Sequence, residues 1–226
     1  MEWATKRKII YAVAAIIFVI SFGVYQLRNI LFPTPTCLDQ KKNGFESGVD
    51  CGGACALQCM NEVSLISSEW ASAVRVGVDT YDLVAMLSNK NINSAPQMVY
   101  YTFNVFNKNG VLIKSDTGST IALVGSSFPV VKQNIVLPEP PSKVLVKLNP
   151  MPYYKAVENP KVPLIRTGNF TFEPGEINRI YITITNTTRN IYLKLPVRLV
   201  AYDERDNVIA TGETIIPTLD KEEVKE

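Results

Sequence analysis

From residue 9 to residue 25 the chain carries no charged side chain, and Lys6, Arg7 and Lys8 stand immediately ahead of that run. A stretch of this kind predicts a helix across a bilayer. At ~1.5 Å per residue the run covers about 25 Å, and a more polar extension to residue 32 completes the ~30 Å hydrocarbon core. After residue 70 the pattern changes period. Tyr101, Phe103 and Val105 alternate with Thr102 and Asn104, and Ile180, Ile182 and Ile184 alternate with Tyr181, Thr183 and Thr185. Alternation in steps of two marks half-buried strands. Strands are expected at 83–87, 99–106, 111–114, 120–124 and 144–148, and in a second group at 177–185, 191–202 and 208–216. No long helical stripe follows residue 32, so the fold class is all-β: an N-terminal transmembrane helix, a small disulfide-rich segment, then two tandem β-sandwich domains.

The two strand groups resemble each other. Asn89 precedes a strand ending at Phe106, then the turn Asn107-Lys108-Asn109-Gly110 and Val111-Leu112-Ile113. Asn186 precedes a strand ending at Tyr202, then the turn Asp203-Glu204-Arg205-Asp206-Asn207 and Val208-Ile209-Ala210. The Asn-to-aromatic spacing is 17 positions in one and 16 in the other. A repeat of this kind predicts tandem units, with a boundary near 154–163 where Pro160 and Pro163 interrupt strand pairing. One larger sandwich with two similar hairpins is the alternative. The expected organisation is a cytoplasmic tail 1–8, a signal anchor 9–32, a spacer and Cys-rich module 33–62, sandwich one 63–158, sandwich two 159–218, and a disordered tail 219–226.

Charge sets the expected direction of crossing, because basic residues beside a first span stay in the cytoplasm. The three basic residues before the run therefore place the N-terminus inside and the C-terminal domains extracytoplasmic. A cleaved signal peptide would carry a shorter apolar core and a small-x-small site. Net charge is +2, and no basic block interrupts the rest, so no electrostatic footprint for nucleic acid exists.

Cys37, Cys51, Cys55 and Cys59 are separated by 13, 3 and 3 residues. In an exported segment an even number of cysteines reads as two disulfides, with three connectivities open. A four-thiolate zinc site would favour Cys-x2-Cys knuckles. Gly44, Gly48, Gly52 and Gly53 lie in the same segment, which has almost no large apolar residue, so crosslinks must hold it. Asp39, Asn43, Glu46 and Asp50 supply hard oxygen donors in this glycine-rich loop, the chemistry a Ca²⁺ ion requires. The same residue types cap turns through hydrogen bonds to the backbone. Apart from this possible calcium, no cofactor is expected.

The stretch from Cys37 through Asp39, Asn43 and Glu46 to Asp50-Cys51-Gly52-Gly53-Ala54-Cys55 resembles a Cys-rich module of exported bacterial and archaeal surface proteins. It departs from that module at Gln40, usually Gly, and in the three residues between Cys55 and Cys59, usually two. The endings Leu199, Tyr202, Asp203 and Phe103, Phe106, Asn107 resemble FxLYD and LEA-type sandwich modules. The whole layout is similar to uncharacterised single-span exported proteins of candidate-phyla bacteria. The resemblance implies location and architecture, and no activity.

The chain has no histidine, which excludes Ser-His-Asp and Cys-His mechanisms and the commonest metal ligand. A Ser/Lys dyad is the nucleophilic route that remains, but no local signature singles out a pair. Asp203, Glu204 and Asp206 sit in an expected turn, where solvated carboxylates are usual. Asn169-Phe170-Thr171 and Asn186-Thr187-Thr188 match the glycosylation sequon. The expectation is a non-enzymatic, membrane-anchored binding or cell-envelope assembly module whose partners are the membrane and another envelope or surface protein. A membrane-anchored Ser/Lys hydrolase is the alternative.

Overall fold

A computed structural model describes residues 2–31, 37–149, 151–155, 165–175 and 179–226. The expected span is helix α1, Glu2–Leu31. It starts ahead of the apolar run, so residues 2–8 are helical. The Arg7 guanidinium lies 4.1 Å from the Trp3 ring centroid, a cation–π contact one turn apart that favours this start. Within α1, Thr5–Arg28 is long and apolar enough to cross a membrane. Residue 32 and the Pro-rich spacer 33–36 lie outside the described residues, as does most of the expected domain boundary.

From Leu57 to Glu226 the described residues are mainly β-structure, in one compact unit. The strands in order are β1 (Leu57–Gln58), β2 (Ser67–Gly77), β3 (Thr80–Asn89), β4 (Ser94–Pro96), β5 (Val99–Phe106), β6 (Leu112–Thr120), β7 (Ser126–Val136), β8 (Lys143–Leu148), β9 (Tyr153–Lys155), β10 (Ile165–Glu173), β11 (Arg179–Asn186), β12 (Tyr192–Tyr202), β13 (Val208–Leu219) and β14 (Val224–Lys225). They form sheets β2-β3-β7, β6-β5-β8, β10-β11-β14, β12-β13 and a small β1-β9-β4.

The first repeat is a closed sandwich. Leu83, Ala85 and Leu87 of β3 and Phe128 and Val130 of β7 face Tyr101, Phe103 and Val105 of β5 and Val144 of β8 in one core. Side chains two apart share a face, so the alternation seen in the sequence becomes this inner surface. Gly118 pairs with Tyr101 across β5 and β6, and the bare glycine makes room for the ring. A Cβ there would stand 2.5 Å from Tyr101 Oη. Burial pushes the Tyr101 phenol pKa up.

The hairpin β12–β13 lies on the outer face of the sheet β2-β3-β7. Val200 and Val208 pack with Trp70 against Val74, Val84 and Val131, and the rings of Trp70 and Tyr202 meet edge to face at 6.1 Å. One polar link crosses the same interface, and a second joins β12 to the end of β6 in the other sheet. Thr211 Oγ1 donates to Asp82 Oδ2 at 2.7 Å, and Arg198 Nη1 donates to Thr120 Oγ1 at 3.1 Å. Strand β3 is thus covered on both faces, which is why Leu83-Val84-Ala85 is fully buried without alternation.

The repeat read from the sequence is a repeat of hydrogen bonds. Asn89 and Asn186 are each 1% exposed and end β3 and β11. Asn89 Nδ2 donates to Ser94 O at 2.9 Å and Leu123 O at 3.0 Å, while its Oδ1 accepts from Asn91 N at 3.1 Å. Asn186 Nδ2 donates to Asn190 O at 2.8 Å and Asp220 O at 2.7 Å, while its Oδ1 accepts from Thr188 N at 2.9 Å. The turns match equally. Asn107 Oδ1 accepts from Asn109 N and Val111 N, as Asp203 Oδ1 accepts from Arg205 N and Asn207 N. Register shifts fall at Val105/Phe106 and at Ala201/Tyr202, the same place in each hairpin.

Three expectations need correction. Residues 121–124, expected to be strand, form a loop between β6 and β7, and the Leu123 carbonyl there accepts from Asn89. Strands β2, β7 and β10 were not legible, because small, polar and proline residues blunt their alternation. The tail 219–226 is ordered rather than disordered: Leu219 is fully buried, Glu223 O accepts from Asn186 N at 2.9 Å, and β14 pairs with β11.

Candidate functional sites

In the Cys-rich module Cys37 is joined to Cys55. Cys51 and Cys59 are disulfide-bonded as well, and no free cysteine remains among the described residues. The four side chains expected to suit calcium are brought together, and each carboxylate accepts from nearby N–H groups. Asp50 accepts from Asp39 N at 2.9 Å and, through Oδ2, from Gln40 N at 2.9 Å. Asp39 accepts from Lys41 N at 3.0 Å and Asn43 Nδ2 at 2.8 Å. Glu46 Oε2 accepts from Asn43 N and Asp50 N, both at 3.3 Å. This is the turn-capping use of the motif, in which carboxylates satisfy backbone donors that no regular element would satisfy. A cation would compete with these donors for the same oxygens. Cys37, Glu46 and Cys55 lie close enough to share an ion, but the two sulfurs are bonded to each other and offer no thiolate. Gly53, at φ +55°, lets the chain pass against the Phe45 carbonyl, where a Cβ would collide.

Of the turn carboxylates, Asp203 behaves in the same way. Asp203 is held below the ordinary carboxylate range by its bonds from the Asn207 side chain and backbone, which favour the ionised form. A Ser/Lys dyad needs a buried lysine beside its serine, and none of the described lysines is buried. Of the two sequons, Asn169 is exposed. Asn186 is enclosed with both ends of its amide bonded, so the folded chain does not present it for modification.

The feature not anticipated from sequence lies in the second repeat. Residues two apart on β12 face opposite ways from their neighbours. Because Val200 packs on the first repeat, Val197, Leu199 and Ala201 face away from it, toward Phe170, Phe172, Ile180 and Ile182 of the sheet β10-β11-β14. The two sheets border an open cleft of about 820 Å³. Phe170 and Phe172 remain 74% and 53% exposed in it, whereas the matching core of the first repeat is closed. Leu83, Ala85 and Leu87 of β3 correspond, 97 positions on, to Ile180, Ile182 and Ile184; Tyr101, Phe103 and Val105 correspond, 96 positions on, to Val197, Leu199 and Ala201.

Comparison with protein-family models, curated proteins and solved structures gives no match. The assignment of a role therefore stands on the geometry alone.

Proposed function

We propose that this chain is a non-enzymatic, membrane-anchored protein that presents a binding or envelope-assembly module outside the cytoplasm. The observation that carries this reading is the cleft: a partly exposed apolar surface between two sheets, in a chain that also has an apolar N-terminal helix and oxidised cysteines. Apolar surface of this extent in a soluble portion marks an interaction site. Disulfides persist in oxidising compartments, which supports export of everything beyond α1, and the basic residues before the span support a cytoplasmic N-terminus. On this reading α1 is an uncleaved anchor and the Cys-rich module links it to the sandwiches.

Protease added to sealed cells is expected to remove the 57–226 portion while an epitope ahead of α1 survives. Digestion of that portion only after lysis would contradict the orientation.

A further inference from the structure

The two ends of the first sandwich differ. At one end β3 and β6 finish, at Asn89 and Thr120, while β2, β5 and β7 begin, at Ser67, Val99 and Ser126. Hydrogen bonds gather the connecting segments there. Ser64 N donates to Asn91 Oδ1 at 2.9 Å, and Asn91 Nδ2 donates back to Ser64 O at 2.6 Å. Gly125 N donates to Asn91 O at 2.8 Å, and Asn89 Nδ2 holds the Leu123 carbonyl. Leu65, Ile92, Ile121 and Leu123 are thereby collected at this end with their side chains exposed. Leu65 also borders an open apolar recess of about 150 Å³, together with Ile66, Pro96, Val99 and Leu148. Aliphatic side chains exposed singly are ordinary, whereas a group of them on loops tied together marks a contact surface. The loops 90–98 and 121–125 contain no carboxylate, and Lys90 is their one charged residue. The opposite end carries Asp79 between β2 and β3 and Glu139 between β7 and β8.

The chain also enters at the apolar end. Strand β1, at Leu57, pairs with β9, which pairs in turn with β4 in the 90–98 segment. Covalent geometry limits how far this entry can stand from the end of α1 at Leu31. Cys37 follows six positions later, its bridge to Cys55 spans 5.6 Å between Cα atoms, and Leu57 comes two positions after that. At no more than ~3.6 Å per residue this path reaches about 35 Å at full stretch, against about 95 Å for the 26 positions from Leu31 to Leu57 without the bridge.

We infer that this end of the first sandwich rests on the bilayer that holds α1, with Leu65, Ile92, Ile121 and Leu123 set between the lipid headgroups and the acyl chains. This deepens the proposed function and rests on its reading of α1 as an anchor. Two observations select lipid as the occupant. The bridged tether is short, and short tethers hold a group at an effective concentration of about millimolar over its target, so a small apolar contact suffices. The contact group consists of loop aliphatics without carboxylates, which suits shallow burial of ~5–10 Å at the headgroup boundary. Glu62 and Glu69, in and just after the entry segment, add negative charge beside it. The contact is therefore apolar in character, and zwitterionic lipid suits it better than anionic lipid.

The test uses the full chain in nanodiscs of zwitterionic phosphatidylcholine, after its retention by the discs has been checked. Ile92→Cys carries an environment-sensitive fluorophore. Val78→Cys, at the opposite end, is the control, because the two positions are equally exposed in the protein, at 81% and 82%. Part of the lipid is replaced by phosphatidylcholine bearing a nitroxide just below the headgroup. Quenching of at least about twofold at position 92, with little at 78, is expected for a label buried to the interfacial depth. A second measurement needs no new thiol that could disturb the disulfides. The unaltered chain is irradiated in discs containing a lipid with a photoactivatable acyl chain, and mass spectrometry is expected to find adducts in 90–98 and 121–125 but not in 78–79 or 107–111. Equal quenching at 92 and 78, a label at 92 that is shielded yet unquenched, or adducts confined to α1 would each overturn the inference and leave the anchored module standing. A chain that does not stay with the discs would remove the anchor reading, and the lipid contact with it.

Discussion

Replacing Asn89 with alanine is expected to destabilise the first repeat by about 3–5 kcal/mol, a large part of the ~5–15 kcal/mol that holds a typical domain together. The side chain is 1% exposed, and the substitution strands the carbonyl of the fully buried Ser94 and the N–H of half-buried Asn91, whereas water can reach the third lost partner, the carbonyl of the exposed Leu123. A buried polar group left without a partner costs about 1–3 kcal/mol. Asn186→Ala removes the same set of bonds, but the Asn190 and Asp220 carbonyls belong to exposed residues, where water can replace the lost donor. Its effect is expected to be clearly smaller. Denaturant titration of the two variants followed by near-ultraviolet circular dichroism checks both values. A loss below about 1 kcal/mol for Asn89→Ala would show that this residue is not the tie between strand end and loops.

Serine at both Cys37 and Cys55 is expected to unfold the Cys-rich module. The bridge spans 18 positions, for which chain-entropy arguments give about 3 kcal/mol; the disulfide bonding of Cys51 and Cys59 remains in the variant, but it leaves residues 37–50 outside any crosslink. Leu38 and Phe45 are 85% and 88% exposed, so there is no apolar core to compensate, and the carboxylate caps depend on the chain already being turned. Trypsin cleavage at Lys41 and Lys42 reads the outcome. The disulfide-bonded protein should resist cleavage there and the double variant should be cut rapidly, whereas equal resistance would mean that the caps and the remaining disulfide maintain the turns without the Cys37–Cys55 bridge.

What the sequence made legible was what local pattern encodes. The apolar run became α1, and the alternation around Phe103 and Ile182 became inner sheet faces. The Asn-to-aromatic repeat became two copies of one hydrogen-bonded hairpin, with Asn89 and Asn186 in identical roles. The cysteines were readable as oxidised, and Asp39, Asn43, Glu46 and Asp50 were readable as a cluster whose turn-capping use the geometry displays. What was hidden depends on contacts far apart in the chain. The run Leu83-Val84-Ala85 is buried on both sides, but only the docking of Val200 and Val208 onto Val84 explains it. Strand β7 carries Pro129 and the polar stretch 132–134 and so does not announce itself, although it closes the first core. For that reason the cleft between the sheets β10-β11-β14 and β12-β13 could not be read from residue order alone. The tail was misjudged on charge: its four acidic residues suggested disorder, yet backbone pairing with β11 orders it regardless of side-chain polarity.

The central claim is that one repeat is closed and the other open, and amide hydrogen exchange on the full chain in nanodiscs tests it most directly. Amides in the closed sandwich, in β3 and β5, should exchange only through global unfolding, while those along β11 from 179 to 183 and on the free edge of β12 should exchange orders of magnitude faster. Equal, strong protection of both repeats in the isolated protein would contradict the account.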